Sequence, residues 1–160
     1  MAERLARQIM NRDVITITRD KSISDLAQLL TDNNISGVPV VDEDNVLQGI
    51  VSEADIVNFV KSDQIFFPML VYPVYNYAYV NPELYTRDYE KNREALSKTK
   101  VEEIMHTWVK KAKSDTPESE IANIMIENNV NRVPIIDDDN RVIGIIARRD
   151  LVKSMIREGN

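Results

Sequence analysis

The sequence predicts an α/β fold made of two β-α-β-β-α repeats packed on each other as a pseudo-two-fold pair. The first observation behind this is an internal repeat in constant register. Ile35-Ser36-Gly37-Val38-Pro39-Val40-Val41-Asp42 returns as Val130-Asn131-Arg132-Val133-Pro134-Ile135-Ile136-Asp137. Gly49-Ile50-Val51-Ser52-Glu53-Ala54-Asp55 returns as Gly144-Ile145-Ile146-Ala147-Arg148-Arg149-Asp150. Both 130 − 35 and 144 − 49 give 95, and Ile9-Met10 keeps that register with Ile104-Met105. The second observation is that hydrophobic periodicity switches between strand and helix spacing in the same order in each copy. The third is size: a unit of roughly fifty residues is marginal alone, so two copies should pack together.

Within the first copy, Val14-Ile15-Thr16-Ile17 is a short β-rich run. Lys21–Asp25 carries helix-start chemistry, with Ser22 or Ser24 as the cap and Asp25 at the positive end of the dipole. Ile23, Leu26, Ala27 and Leu30 then fall at helical spacing, and Asn33-Asn34 close the segment. Val38–Val41 and Val46–Val51 are strands joined by the turn Asp42-Glu43-Asp44-Asn45, and Ala54–Val60 begins a second helix. The second copy repeats this order. Val109–Ala112 is its first strand, and Pro117 sits near the first helical turn, where its missing donor costs little. Ile121, Ile124, Met125 and Asn128 continue that helix, and Val133–Ile136 with Val142–Ile146 form the hairpin. A short helix precedes each copy, at Glu3–Ile9 and Val101–Met105. Pro39 and Pro134 read as strand-start residues, and Trp108 with the Leu/Ile/Val stripes reads as core.

The resulting organisation is a first repeat over residues 1–61, a tyrosine-rich insertion over 62–100 and a second repeat over 101–160. All six tyrosines lie in the insertion, together with Phe66 and Phe67. A plain tether would be polar or rich in Gly and Ser. The insertion therefore has three candidate roles: subunit packing, a flap over a cleft, or a docking surface for a partner. Thr86–Lys100 is charged and suited to a helix.

Composition narrows the chemistry. The 160 residues hold no cysteine, which removes thiol nucleophiles, disulfides, thiolate zinc sites and iron–sulfur clusters. A single histidine, His106, is too few for a multi-histidine metal site and reads as structural. The net charge of −6 argues against a dedicated duplex-DNA binder. Lys110, Lys111, Lys113, Arg148 and Arg149 leave nucleic acid as a minority reading. Asp42–Asn45 and Asp137–Asn140 lack the Gly and distal Glu of a calcium loop and read as solvated turns. Met1–Met10 is not a signal peptide, and Ile65–Val80 is too short and too broken to span a membrane. A cytoplasmic location is expected.

The duplicated block resembles a tandem pair of CBS (cystathionine-β-synthase) domains, a Bateman module. The resemblance rests on Ile35–Asp42 with Gly49–Ile56, and on Val130–Asp137 with Gly144–Leu151. It covers nearly all of the chain outside 62–100. It implies clefts between the two copies that hold adenosine-containing nucleotides. The strand-to-helix segment Gly-h-h-Ser/Thr-x-x-Asp supplies the chemistry: the carboxylate takes the ribose hydroxyls, and the hydroxyl sits at a helix start that favours phosphate. The first cleft then combines Ile50, Ser52 and Asp55 with Thr107, Val109 and Lys110, and with Val130, Asn131 and Arg132 ahead of Pro134. Arg132 is the phosphate ligand, as a forked charged donor. The second cleft combines Ile145 and Asp150 with Ile15, Ile35, Ser36 and Gly37. There Ala147 replaces the hydroxyl and Gly37 stands where Arg132 stands in the first, so Arg148 and Arg149 are the available cations. Two plainer readings remain: Asp55 and Asp150 as helix caps, and Arg132 as a surface ion pair.

The expected function is a non-catalytic regulatory module that binds AMP, ADP, ATP or S-adenosylmethionine as ligand, with no catalytic cofactor. A homodimer and an unidentified effector protein are the expected partners, with no membrane. The alternative is an assembly module without nucleotide, dimerising through the repeat helices and the insertion. No nucleophile–base pair, P-loop or dinucleotide fingerprint supports an enzyme.

Overall fold

The computed structural model of the chain describes residues 3–62 and 93–156. The three roles considered for the tyrosine-rich insertion fall on residues outside those described. In chain order the elements are α1 (Ala6–Ile9), β1 (Ile17–Thr18), α2 (Ile23–Asn33), β2 (Gly37–Val41), β3 (Leu47–Ser52) and α3 (Glu53–Ser62). Residues 93–98 are helical, Val101–Glu103 form a 3₁₀ turn, and β4 (Ala112–Lys113), α4 (Glu118–Glu127), β5 (Arg132–Ile136), β6 (Val142–Ala147) and α5 (Arg148–Ile156) follow. The strands form two three-stranded sheets of order β1-β2-β3 and β4-β5-β6. In the second sheet β4 runs parallel to β5, and β5 runs antiparallel to β6. The middle strands are buried almost throughout, whereas β3 and β6 alternate buried and half-buried residues. A strand with a neighbour on each side and a helix above it has little left to expose.

Local chemistry sets the helix ends. Ser22 caps α2: its Oγ accepts the Asp25 N–H at 3.0 Å, and Asp25 Oδ2 accepts the Ser22 N–H at 3.0 Å. This reciprocal box satisfies two backbone donors that the helix itself leaves unpaired. The Ser22 N–H is the first cause that lowers the Asp25 pKa below the ordinary carboxylate value. Ile23, Leu26 and Leu30 present one buried stripe, each side chain contributing about 1.5–3 kcal/mol. Asn34 (φ 50°) and Asn129 (φ 51°) stop α2 and α4 in the left-handed region, where Asn is among the few tolerated residues.

Contacts divide the chain into two compact units. One comprises Met1–Thr16, Pro39–Ile50 and His106–Asn160, the other Ile17–Val38 and Val51–Met105. In the first unit the N-terminal arm docks on the second repeat. The Ala6 N–H donates to the Thr116 carbonyl (2.8 Å), Arg7 N–H to Ser114 (2.9 Å) and Glu118 N–H to Arg4 (2.8 Å). In the second unit the arm ahead of the second repeat docks on the first by the equivalent bonds. These run from Val101 to Lys21 (2.8 Å), Glu102 to Arg19 (3.0 Å) and Ile23 to Thr99 (2.9 Å). Each arm thus serves the other repeat. The same exchange explains why β1 and β4 begin later than the sequence predicts. Asn11 bridges Ile145 and His106 bridges Ile50, both antiparallel, before the chain turns to its parallel partner. The short helix predicted at Val101–Met105 is accordingly a 3₁₀ turn.

In the first unit, Ala6 and Met10 enter a core with Ala112, Ile121, Met125, Val133, Ile135, Ile146 and Leu151. The Met10 side chain lies where a Cβ on Gly144 would sit, 2.3 Å from its Sδ, so this position has no room for a side chain. Pro39 and Pro134 are central in their five-residue strands rather than at the start. The ladder from β4 reaches only Ile135 and Ile136, so Pro134 is not asked for a donor there.

The first unit also contains a junction between the two hairpins. Val46 and Arg141 form an antiparallel bridge. Leu47 N–H donates to the Asn140 carbonyl (3.0 Å) and Val142 N–H to that of Asn45 (3.1 Å). The amides repeat the pattern: Asn45 Nδ2 donates to Val142 O (2.8 Å) and Asn140 Nδ2 to Leu47 O (3.2 Å). Both asparagines have φ 63°, the left-handed residue that follows a type I turn in a three-residue hairpin loop. The acidic tetrads are turns, as expected. Asp42 Oδ1 accepts from the N–H of Asp44 (3.1 Å) and Val46 (2.9 Å), and Asp137 Oδ1 from Asp139 (3.0 Å) and Arg141 (2.8 Å). Beneath lies the apolar cluster Val41, Leu47, Ile136 and Val142, with Val14 and Val109 packed on it. Among the described residues, no helix is long and apolar enough to cross a membrane.

Two expectations follow. Asn45→Ala loses an amide hydrogen bond and forces a Cβ residue into left-handed backbone, so it should cost about 1.5–3 kcal/mol in urea unfolding. Asn45→Gly keeps the backbone freedom and should cost about 0.5–1.5 kcal/mol, the bond alone. Because its folded pKa is lowered, Asp25 stabilises the fold above the unfolded value of about 3.9, and that contribution fades as pH falls through the folded value. Asp25→Asn should therefore lower Tm at pH 7, with the difference from wild type closing as the pH falls through the lowered folded-state pKa of Asp25.

Candidate functional site

The strand-to-helix junctions are built alike. Strand β3 runs into α3 without a loop, and the Ser36 carbonyl accepts the Glu53 N–H at 3.0 Å. Asp55, in the first turn, accepts on Oδ2 both the Ser52 N–H (2.7 Å) and the Ser52 hydroxyl (2.9 Å). In the second repeat the Asn131 carbonyl accepts the Arg148 N–H (3.1 Å), and Asp150 Oδ2 accepts the Ala147 N–H (2.8 Å). The capping reading therefore holds for both aspartates. A cap also holds a carboxylate rigidly beside the backbone donors of a helix start, the arrangement that recognises sugar hydroxyls and anions. The two junctions differ by one hydroxyl, present in Ser52 and absent from Ala147.

Ile35, Ser36, Gly37, Ser52 and Asp55 belong to one compact unit. Ile15, Ile50, Thr107, Val109, Lys110, Val130, Asn131, Arg132, Pro134, Ile145, Ala147, Arg148, Arg149 and Asp150 belong to the other. Within the latter, half-buried Arg132 opens β5 and pairs with Ala147, which places it beside the start of α5. Arg148 and Arg149 are exposed in the first turn of α5. Cations there oppose the helix dipole, and Asp150 offsets them. His106 is tied through its backbone to Ile50 in both directions, each bond 2.9 Å, which fits the structural reading. Of the basic residues, Lys111 Nζ donates to Asn140 Oδ1 (2.6 Å), and Lys113 Nζ to Asp137 O (2.7 Å) and Asp138 (2.9 Å). Those two lysines brace the hairpin rather than forming an open cationic stripe.

Among the described residues of this unit, two grooves bear on the candidate site residues. The first, about 270 Å³, joins Asp150 to Arg4, Gln8, Ile9, Met10, Asn11, Lys153 and Ser154. The sequence reading missed Arg4, Gln8 and Lys153. Arg4 and Gln8 reach Asp150 because the N-terminal arm crosses to the second repeat, which residue spacing alone does not encode, whereas Lys153 lies three residues after Asp150 on the same helix. The second groove, about 460 Å³, is lined by Leu47, Gln48, Thr107, Trp108, Val109 and Lys111. Trp108 is not core: it is 86% exposed. Val109 packs against the apolar cluster at the hairpin junction, while Trp108 stands in the bend just ahead of it.

Residues 6–62 and 101–157 match the CBS domain family, and the chain belongs to that family. The protein MJ1426 of Methanocaldococcus jannaschii is 30% identical over 154 residues, covering 95% of this chain and 91% of its own length. A 31% identical stretch of 152 residues occurs in the inosine-5'-monophosphate dehydrogenase of the same organism, of which this chain spans 24%. Among solved structures, the CBS domain pair of MJ0100, in complex with 5'-methylthioadenosine and S-adenosyl-L-methionine, superposes with a TM-score of 0.73 at 25% identity, covering 98% of this chain and 99% of that one. The fold also matches CBSX2 of Arabidopsis thaliana, with a TM-score of 0.75 at 19% identity over 99% and 98% of the chains.

Proposed function

We propose that this chain is a regulatory module that senses an adenosine-containing ligand: AMP, ADP, ATP or S-adenosylmethionine. Asp55, braced by the Ser52 hydroxyl, takes the ribose diol, the backbone donors at the start of α3 take the first phosphate, and Arg132 neutralises the anionic tail. Thr107, Val109, Lys110, Val130 and Asn131 complete that site, with Ile50 and Pro134 as apolar walls. Asp150 serves a second, weaker site with Ile15, Ile35, Ser36, Gly37 and Ile145, where Ala147 offers no hydroxyl and Arg148 and Arg149 supply charge. The observation that carries this reading is the rigid Ser52–Asp55 pair, both of whose bonds converge on one carboxylate oxygen. The CBS pair of MJ0100, solved with two adenosine-containing ligands, supports it. Such a ligand regulates by binding two arrangements of the module unequally, and an effector protein reads the difference.

Calorimetric titration of the four compounds is the test. At least one should bind, and saturation at a hundred times Kd should stabilise the fold by about 2.7 kcal/mol. Asp55→Ala should weaken binding by about 1.5–3 kcal/mol, one charge-assisted contact. No binding at millimolar concentration, or unchanged affinity in the variant, overturns the assignment.

A second reading, homodimerisation through the repeat helices, draws on one apolar face. Val152, Met155 and Ile156 on α5 are 57%, 66% and 70% exposed, and Ile126 on α4 is 75% exposed. The corresponding positions of the first repeat are Thr31, Val57, Val60 and Lys61, of which Val57 is 37% exposed and Val60 is buried. Light scattering should give a dimer for the wild type and a monomer for Met155→Glu. A monomeric wild type, or a dimer that survives the substitution, overturns this reading.

A further inference from the structure

We propose that the groove between the N-terminal arm and α5 binds a free α-amino acid with a short apolar side chain. The inference stands apart from the adenosine reading and shares one residue with it, Asp150. Every wall of the groove belongs to one compact unit. Its volume, about 270 Å³, lies below the usual range for drug-sized ligands and suits a molecule much smaller than a nucleotide.

Charge defines the class of ligand. Asp150 and Lys153 lie one turn apart on α5, where opposite charges can meet. They do not pair with each other. Asp150 Oδ2 accepts the Ala147 N–H (2.8 Å), and among the described residues Lys153 Nζ has no hydrogen-bond or ionic partner. The groove thus holds an anchored carboxylate apart from an ammonium. Arg4 adds a second positive charge, fixed by the Ser154 carbonyl (2.8 Å) and moderated by Glu118 at 4.0 Å, which itself accepts the Ser154 hydroxyl. The side-chain amides have spent acceptors rather than donors. Gln8 Oε1 accepts the Leu5 N–H (2.8 Å) and Asn11 Oδ1 the Asp13 N–H (3.0 Å), so Nε2 and Nδ2 are the groups they offer. Amide donors with two cations suit a carboxylate, and the Asp150 carboxylate suits an ammonium. A dianion such as phosphate would be repelled by Asp150, whereas a zwitterion satisfies both ends. Ile9 and Met10 supply the apolar wall for its side chain. In the first repeat the positions of Arg4, Gln8 and Lys153 are Thr99, Glu103 and Asn58. Both cations and one amide are missing there, so the proposed site belongs to one repeat.

Calorimetry on the full chain with L-valine is the test, beside isovalerate, which lacks the ammonium, and isobutylamine, which lacks the carboxylate. L-Valine should bind, and each truncated compound should bind at least roughly tenfold more weakly, the loss of one charge-assisted contact. In heteronuclear NMR spectra the side-chain amides of Gln8 and Asn11 should shift during the titration. Lys153 is exposed, so its variants spare the fold. Lys153→Glu should abolish binding, and Lys153→Arg should retain it. No heat with millimolar L-valine, equal affinity for the three compounds, or wild-type affinity in Lys153→Glu overturns the amino-acid site. L-Valine binding with no response to the four adenosine compounds supports this site and overturns the sensor reading, and the reverse result overturns this site alone. Silence from all five overturns both.

Discussion

The reciprocal junction of the two hairpins is the constraint around which the rest is arranged. Four hydrogen bonds join residues 45–47 to 140–142, two from backbone N–H groups and two from asparagine amides. Each pair is its own counterpart under the 95-residue repeat, so the geometry is self-complementary in the sense of a two-fold interface. Asparagine serves both needs: it tolerates left-handed backbone at the bulge and carries an amide that reaches across. The junction also fixes the near end of β3, and the far end of that strand is Ser52. A short, stiff strand thus connects the contact between repeats to the residues proposed to meet ligand.

Much of this was legible in the sequence. The repeat, a serine cap at 22 or 24, the hairpin turns and the strand-to-helix transition at Ser52 all follow from local rules, because each is a short-range agreement of pattern and polarity. The exchanged arms were not legible. Glu3–Ile9 reads as a short helix of mixed polarity wherever it docks, and nothing in its spacing says that its carbonyl and amide partners lie beyond residue 113. The same crossing delayed β1 and β4 and brought Arg4 and Gln8 to Asp150. Trp108 misled for a different reason. A large apolar side chain is assigned to the core by default, whereas Trp108 lies in a bend ahead of the strand and Val109 is the residue that packs inward.

The candidate site residues were chosen by family likeness and by the chemistry of carboxylate, hydroxyl and guanidinium groups. The structure shows how tightly two of those groups are set. Ser52 and Asp55 hold each other, and the equivalent Ala147 and Asp150 keep the backbone bond while lacking the side-chain one. Two junctions of the same shape therefore offer different polarity to whatever approaches them. Duplication followed by divergence at single positions, Ser52 against Ala147 and Asp13 against Trp108, gives a module with unequal halves on a nearly symmetric frame.

The swapped arms have a consequence for how such a protein can be divided or assembled. Neither half of the sequence is self-sufficient, since each would carry away an arm belonging to its sibling and lose its own. Expressed separately, a half-length polypeptide satisfies those backbone groups only by pairing with another molecule. Joining the two halves in one chain makes that pairing intramolecular and so raises the effective concentration of each arm at its partner.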